Sequence, residues 1–595
     1  MTMAIDVSKK GGSFLIAETD PEEVFIPEDF SEEQKMFAKT AEDFVFNEVI
    51  ANIKKTEAKE EGAMVGLLKK AGELGLLMID IPEKYGGLEL DKATSMLVAE
   101  VISKGGAFAT TFGGHTGIGT LPIVFFGTEE QKQKYLPRLA TGEIVSAYAL
   151  TEAGSGSDAL AAKARAELTE DGKHYVLNGE KTFISNGGFA DVFIVFAKIN
   201  SEDFSCFIVD RDLKGVSIGA EEKKMGIRGS STVQFILENV KVPVENLLGE
   251  QGKGHRIAFN ILNVGRFKLG VGCVGGAKLA FDDTMKYCKD RHQFGQPIIS
   301  FGMMKNKVAN MATNIYVVES MSYRTAGLLD EVLSSIDKES AEAANLIMKG
   351  IHEYVTECSI LKVKGSEMLD YVVDEAVQMY GGYGYIEDYP VERYYRDSRV
   401  ARIYEGTNEI NRMLITGMLI RKAMKGELPL MEAAKRLQGE LMEMPSTDDS
   451  DNDGLLAEEM KIIRNVKKVG LLTTGLAFQK FTTSLDQQQG VLGGIADIVI
   501  EGYSMESAML RTQKIAAKGE AEAATVINMT RLYVYETIGK VDLWARELLA
   551  ACAEGDELRT MLAALRRLTR HTPIDTLGLR QEIADTFIDK DKYEL

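Results

Sequence analysis

From about residue 145 to about 250 the chain stops reading as helix, and no other feature limits its fold as much. Segments 146–150, 174–177, 192–198 and 205–209 are short and rich in β-branched and aromatic residues, as strands are. Asp171-Gly172 and Asn178-Gly179 read as turns between strands. Phe235-Ile236-Leu237 and Lys241-Val242-Pro243 close the region. Before it, apolar residues recur at helical spacing, as at Met36, Phe37, Ala41, Phe44, Val45 and Val49. The helical period returns over 253–425, breaks at the acidic polar segment 446–454, and resumes to the end, with no internal repeat. Strands grouped in one block exclude an alternating α/β fold; the class is α+β, mostly α. The expected layout is an irregular arm (1–30), a helical domain (31–144), a β domain (145–252), a helical domain (253–430), a linker (431–454) and a helical extension (455–595).

The net charge of −20 argues against a nucleic-acid partner and against general attraction to anionic membranes. Five scattered cysteines without CxxC, and histidines without HxxxH spacing, predict neither a disulfide framework nor a metal site. No apolar run reaches the roughly 18–20 residues of a membrane span, and the N-terminus has no leader pattern. A cytoplasmic protein is expected.

One carboxylate draws attention. Glu405 lies between Tyr404 and Gly406, just ahead of an apolar-periodic run at Ile410, Met413, Leu414 and Met418. That pattern predicts a tight turn into a helix N-terminus, where a side chain can project into a cavity and act as a base. A solvated acid at a helix start is the plainer reading. A helix N-terminus would favour the ionised form, whereas an apolar pocket would raise its pKa.

Gly270-Val271-Gly272-Cys273-Val274-Gly275 matches GxGxxG, with Asp290 at a fitting distance. A nucleotide fingerprint needs a preceding strand, and 258–267 reads as helix. Close helix–helix approach is the better reading. Segment 151–158 follows a strand with hydroxyls and small residues, and suits either a phosphate cradle or a surface turn. Phe183 and Ser185 would share one face of a strand, against a ring cofactor or in a core. Around Gln378, Gly381 and Gly382 the glycines admit a ligand or end a helix. Arg291 suits a helix's last turn or a pyrophosphate.

Together these segments resemble the acyl-CoA dehydrogenase family over nearly the whole chain. The matching stretches are Tyr148-Ala149-Leu150-Thr151-Glu152 with 154–158, 183–188, Arg291 with Gln293-Phe294-Gly295, Gln378 with Gly381-Gly382, and 404–407. Asn263-Val264-Gly265-Arg266-Phe267, Phe301-Gly302, Glu405-Gly406-Thr407-Asn408 and the helical extension are most similar to the very-long-chain subgroup. Gly302 stands where shorter-chain relatives carry a flavin-contacting glutamine. Ala153 departs from the proline of many members. The acidic segment 446–454 departs from a region that helps the very-long-chain enzymes associate with membranes, so membrane association is not expected here.

The resemblance implies FAD-dependent α,β-dehydrogenation of long-chain fatty acyl-CoA to trans-2-enoyl-CoA in fatty acid β-oxidation, with electrons passed to an electron-transfer flavoprotein. It implies Glu405 as base, its backbone N–H and a flavin hydroxyl as donors to the thioester oxygen, and Arg266 beside the carboxylate. Leu150, Thr151, Ser157, Phe183 and Ser185 would line the flavin. Arg291, Phe294, Gln378, Gly381 and Gly382 would reach it from a neighbouring subunit, which requires an oligomer, expected to be a homodimer. Thr407 and Glu409 would lie near the phosphate or adenosine end. Ser157, Gly113, Gly114, Tyr404 and Gly406 would contact substrate. Gly113, Gly114, Gly117 and Gly119 would border the acyl tail, unless they serve close helix packing, and Gly114→Phe is expected to lose long substrates selectively. An acyl-CoA oxidase shares the half-reaction, and a non-catalytic scaffold of the same fold is the alternative of another class.

Overall fold

A computed structural model describes residues 9–338, 340, 342–442, 454–590 and 592–595. The arm is irregular, made of 3-10 turns at Ser13–Leu15, Pro21–Glu23 and Pro27–Asp29, but it is docked. Phe14, Leu15, Val24 and Ile26 are buried. Ser31 then starts α1 (Glu32–Phe44) with a capping box to Gln34, satisfying two backbone N–H groups that a helix end leaves open. Helices α2 (Ile53–Glu57), α3 (Ala63–Glu73), α4 (Lys92–Ser103), α5 (Ala107–Gly113), α6 (Leu121–Phe126) and α7 (Glu129–Ala140) complete the first layer. The glycine-rich segment Gly114–Gly119 continues α5 as a π-helix.

The strands are β1 (Ser146–Ala149), β2 (Arg165–Leu168), β3 (His174–Ser185), β4 (Val192–Ile199), β5 (Asp203–Asp210), β6 (Val216–Ile218), β7 (Thr232–Pro243) and β8 (Leu247–Leu248). They form one sheet in the order β6-β7-β3-β2-β4-β5-β8, with β1 parallel to β4. Asp171-Gly172 is a turn: the Gly172 N–H donates to the Thr169 carbonyl. Asn178-Gly179 is not. It lies inside β3, where the register against β7 slips between Leu177 and Gly179. A Cβ on Gly179 would come 2.7 Å from the Ala164 Cβ, so the glycine serves close strand approach. Phe235 and Lys241 share one long strand, β7.

Helix α8 (Gly254–Asp290) is the axis of the second helical layer. It is long and apolar enough to cross a membrane by length and composition, contrary to the expectation of no such run. Here it is a core helix, packed against α4, α9 (Gly302–Ser334) and α11 (Val355–Tyr380). The Gly270–Gly275 segment lies inside it. A Cβ on Gly270 would come 2.9 Å from the Leu361 carbonyl, and one on Gly275 would overlap the Glu100 carbonyl, so these glycines are helix-crossing points. A short hairpin, β9 (His292–Gln293) and β10 (Gln296–Pro297), follows α8. Helices α10 (Ala343–Glu353), α12 (Val391–Ser398) and α13 (Asn408–Met424) complete this layer.

The expected linker is partly helical. Helix α14 (Leu430–Met442) buries Leu430, Ala433, Ala434 and Leu437, an apolar stripe at helical spacing. The expected acidic break at 446–453 lies outside the described residues. The extension consists of α15 (Ala457–Phe481), α16 (Gln489–Ala516), α17 (Ala524–Cys552), α18 (Gly555–Leu568) and α19 (Thr576–Lys590). A buried chain of charges joins it to the rest. Arg511 on α16 pairs with Glu28 of the arm and Glu319 on α9, each at 2.6 Å. Glu319 pairs with Lys278 on α8, which reaches Glu100 on α4 at 2.6 Å.

Candidate active site

Glu405 sits on a turn between the end of α12 and α13, as its flanking residues predict. Both Glu405 (φ 56°) and Gly406 (φ 81°) adopt left-handed backbone, which costs a non-glycine residue about 1–3 kcal/mol. Side chains clamp the turn. Asn411 Nδ2 donates to the Gly406 and Thr407 carbonyls at 2.9 and 3.0 Å, and Arg266 Nε donates to the Glu405 carbonyl at 3.2 Å. Thr407 Oγ1 caps α13 by accepting from the Ile410 N–H at 3.2 Å. Glu409 points into solvent on the first turn.

The carboxylate faces inward. Glu405 Oε2 is buried and has no hydrogen-bond partner. Gly265 on α8 makes the room: a Cβ there would come 2.5 Å from Oε2. Burial lifts the Glu405 pKa to about 7, against the opposing pull of Arg266 and Lys362. Desolvation therefore outweighs both cations, the direction expected of an apolar pocket.

The carboxylate lines a cavity bounded by the first helical layer, α8, α11 and the turn itself, with Ser185 of β3 at one side. On α8 the wall runs from Gly265 through Gly272 and Gly276 to Leu279. The glycines of 113–119 divide. A Cβ on Gly113 or Gly117 meets nothing within 4 Å. One on Gly114 meets Asn186 Nδ2 at 3.0 Å, and one on Gly119 meets Ser146 Oγ at 2.3 Å. Asn186 is itself fully buried, donating to the Thr111 carbonyl at 3.0 Å. A side chain at Gly114 would thus press on a buried packing point, whereas Gly113 and Gly117 have open space beside them.

Sequence models of the acyl-CoA dehydrogenase N-terminal, middle and C-terminal domains match residues 31–143, 147–240 and 252–420, and a further C-terminal domain model matches 465–567. A probable acyl-CoA dehydrogenase of Bacillus subtilis (strain 168) is 51% identical over 99% of both chains. The chain belongs to the acyl-CoA dehydrogenase family. The crystal structure of an acyl-CoA dehydrogenase complexed with FAD from Bacillus anthracis is 53% identical, covers 98% of this chain and 100% of its own, and superposes with a TM-score of 0.96. The mitochondrial very-long-chain specific acyl-CoA dehydrogenase of Rattus norvegicus is 34% identical over 78% of this chain and 71% of its own.

An acyl-CoA dehydrogenase uses FAD, and the named cofactor residues of this dehydrogenase fall in two places. Near the cavity, β1 delivers Leu150 and Thr151, and the Thr182 N–H donates to the Thr151 carbonyl at 2.9 Å. A buried Lys181–Glu152 pair at 2.7 Å holds the turn that carries Ser157. Phe183 and Ser185 do not follow a regular pleat, because β3 bulges against β7 between Lys181 and Ile184. Phe183 sits there at φ 58° and 63% exposed. Arg291, Phe294, Gln378, Gly381 and Gly382 line a separate open cleft. Arg291 ends α8 with its guanidinium 5.4 Å from the centre of the Tyr383 ring, and Phe294 is 94% exposed at φ 53°. A Cβ on Gly381 or Gly382 would meet nothing.

These residues fit FAD. A strained, exposed ring beside hydroxyls suits a flat polar cofactor, and a bare glycine pair beside a guanidinium suits its pyrophosphate. Sequence reasoning left two residues of this dehydrogenase's site without a role. Gly265 was visible only as part of a resembling segment, and Asn411 carried no signal beyond its place one turn into α13.

Proposed function

We propose that this dehydrogenase oxidises long-chain acyl-CoA at Cα–Cβ, with Glu405 as the base, and passes the electrons to an electron-transfer flavoprotein. FAD, when bound, supplies the acceptor for the hydride from Cβ. Glu405 takes the α-proton. Its inward carboxylate and pKa near 7 suit a base working near neutrality. The Glu405 backbone N–H has no acceptor among the described residues, so it is free to donate to the thioester oxygen and stabilise charge that develops there. The apolar walls exclude water around the carboxylate.

The length of the cavity carries the chain-length reading. From Gly265 to Leu279 it follows α8 over a rise of roughly 21 Å. Relatedness does not decide the matter. The rat very-long-chain enzyme and the butyryl-CoA dehydrogenase of Megasphaera elsdenii are each 34% identical to this chain. Gly113→Phe or Gly117→Phe should cut kcat/KM for palmitoyl-CoA about 10²-fold or more and leave butyryl-CoA within a few-fold. Equal losses on both substrates would remove the tail from this wall.

Glu405 must be ionised to act, and its pKa is raised, so activity should fall as pH drops through about 7. An acid limb of kcat/KM centred near an ordinary carboxylate value would contradict the buried base. The acceptor reading is tested by reoxidation of the reduced enzyme: fast with electron-transfer flavoprotein and slow in air for a dehydrogenase, fast in air for an oxidase. The exposed cleft around Phe294 and Gly381 supports a homodimer whose subunits share each cofactor. A monomer by light scattering that still holds FAD would refute it. Five buried free thiols support residence in the reducing cytoplasm.

A further inference from the structure

Buried lysines elsewhere in this protein touch carboxylates. Lys181 donates to Glu152 at 2.7 Å, Lys422 to Glu353 at 2.8 Å, and Lys467 to Glu506. Lys362 differs. It lies on α11, fully buried, and its Nζ donates to a neutral amide, Asn408 Oδ1, at 2.7 Å. Asn408 is the first residue of α13, three positions after Glu405. Its Nδ2 is fixed by Ser366 Oγ at 3.0 Å and Glu367 Oε1 at 3.1 Å.

Glu405 Oε2 has the converse problem, being a buried carboxylate oxygen with no donor. Each group alone carries a large desolvation cost. The two attract one another through space, with no hydrogen bond between them among the described residues to tie up a base. We propose that Lys362 is a positioning residue for Glu405, held back by Asn408 so that it supplies counter-charge to the carboxylate without donating to it. This rests on Glu405 being the base.

The electrostatics of the pair agree with the geometry. Burial pushes the Lys362 ammonium down to about 8, while Cys273 and Glu405 draw it back toward the charged form. The other groups facing the pair are Arg266 from α8, Cys358 from α11, Tyr404 of the turn, Tyr148 from β1 and Glu409 from α13. Among these, Arg266 is the second cation, and its Nε is engaged by the Glu405 carbonyl.

The test is anaerobic stopped-flow reduction of the holoenzyme flavin by palmitoyl-CoA between about pH 6 and pH 9. Removing a positive charge disfavours ionised Glu405, so Lys362→Met should move the acid limb to higher pH. The loss at about pH 6 should exceed that at about pH 9 by about tenfold. Asn408→Asp keeps the lysine but gives it a carboxylate partner, and should move the limb the same way. An equal loss across the pH range in Lys362→Met would reduce Lys362 to packing and overturn the proposal. If that variant fails to fold, an unmoved limb in Asn408→Asp overturns it instead. Undiminished reduction by Glu405→Gln would strike the base assignment itself, a separate result.

Discussion

Replacing Glu405 by glutamine is expected to leave FAD and acyl-CoA bound and to slow flavin reduction by about 10³-fold or more, within the range a positioned general base supplies. The amide keeps the size and the planar shape of the carboxylate, so the Gly265 niche and the Asn411 clamp stay filled. Only the capacity to take a proton is lost. Anaerobic mixing with palmitoyl-CoA separates the outcomes: a charge-transfer or binding signal without bleaching supports the base role, and fast bleaching removes it. The pH profile adds an independent check, because whatever slow reduction persists should no longer show the limb near pH 7 that belongs to the buried carboxyl.

The second large effect falls on stability. Arg511→Leu should destabilise the protein by about 3–5 kcal/mol, the usual result of removing one partner from a buried ion pair. Arg511 is 2% exposed and is gripped by Glu28 and Glu319 together, so its loss leaves Glu319 with Lys278 as its ion-pair partner among the described residues. Burial works against the Glu319 charge, yet Lys278 and Arg511 hold its carboxyl well below the usual carboxylate range. A depressed carboxylate contributes stability that is present above its unfolded pKa and lost as pH falls through the folded one. The variant should therefore unfold at a higher pH on acidification as well as at a lower temperature. The reduction rate per folded molecule should hold, since Arg511 touches neither cavity nor turn. A thermal midpoint unchanged from the parent would show the network to be energetically idle.

The parts of the fold legible in the sequence were those governed by neighbours in the chain. The helical period of α1, the block of β-branched segments and the Tyr-Glu-Gly-Thr turn each declare themselves over a few residues. GxGxxG could be set aside for the same reason, since the helical period runs straight through it. What stayed hidden depends on residues far apart in sequence. Gly265 makes room for a carboxylate on another helix. The difference between Gly113 and Gly114 is the presence of Asn186 against one of them. The Asn178-Gly179 dipeptide has turn chemistry but obeys the neighbouring Ala164. Helix α14 falls within the expected linker because its apolar stripe is short and abuts the acidic segment.

The docked arm sets an order of events for the newborn chain. Glu28 and Arg511 are 483 residues apart, so at about 5–20 residues per second the first leaves the ribosome roughly 25–100 s before the second. For that interval Phe14, Leu15, Val24 and Ile26 have no finished surface to cover them. The arm cannot settle before α16 has emerged, and until then it is an apolar segment that chaperones can reach.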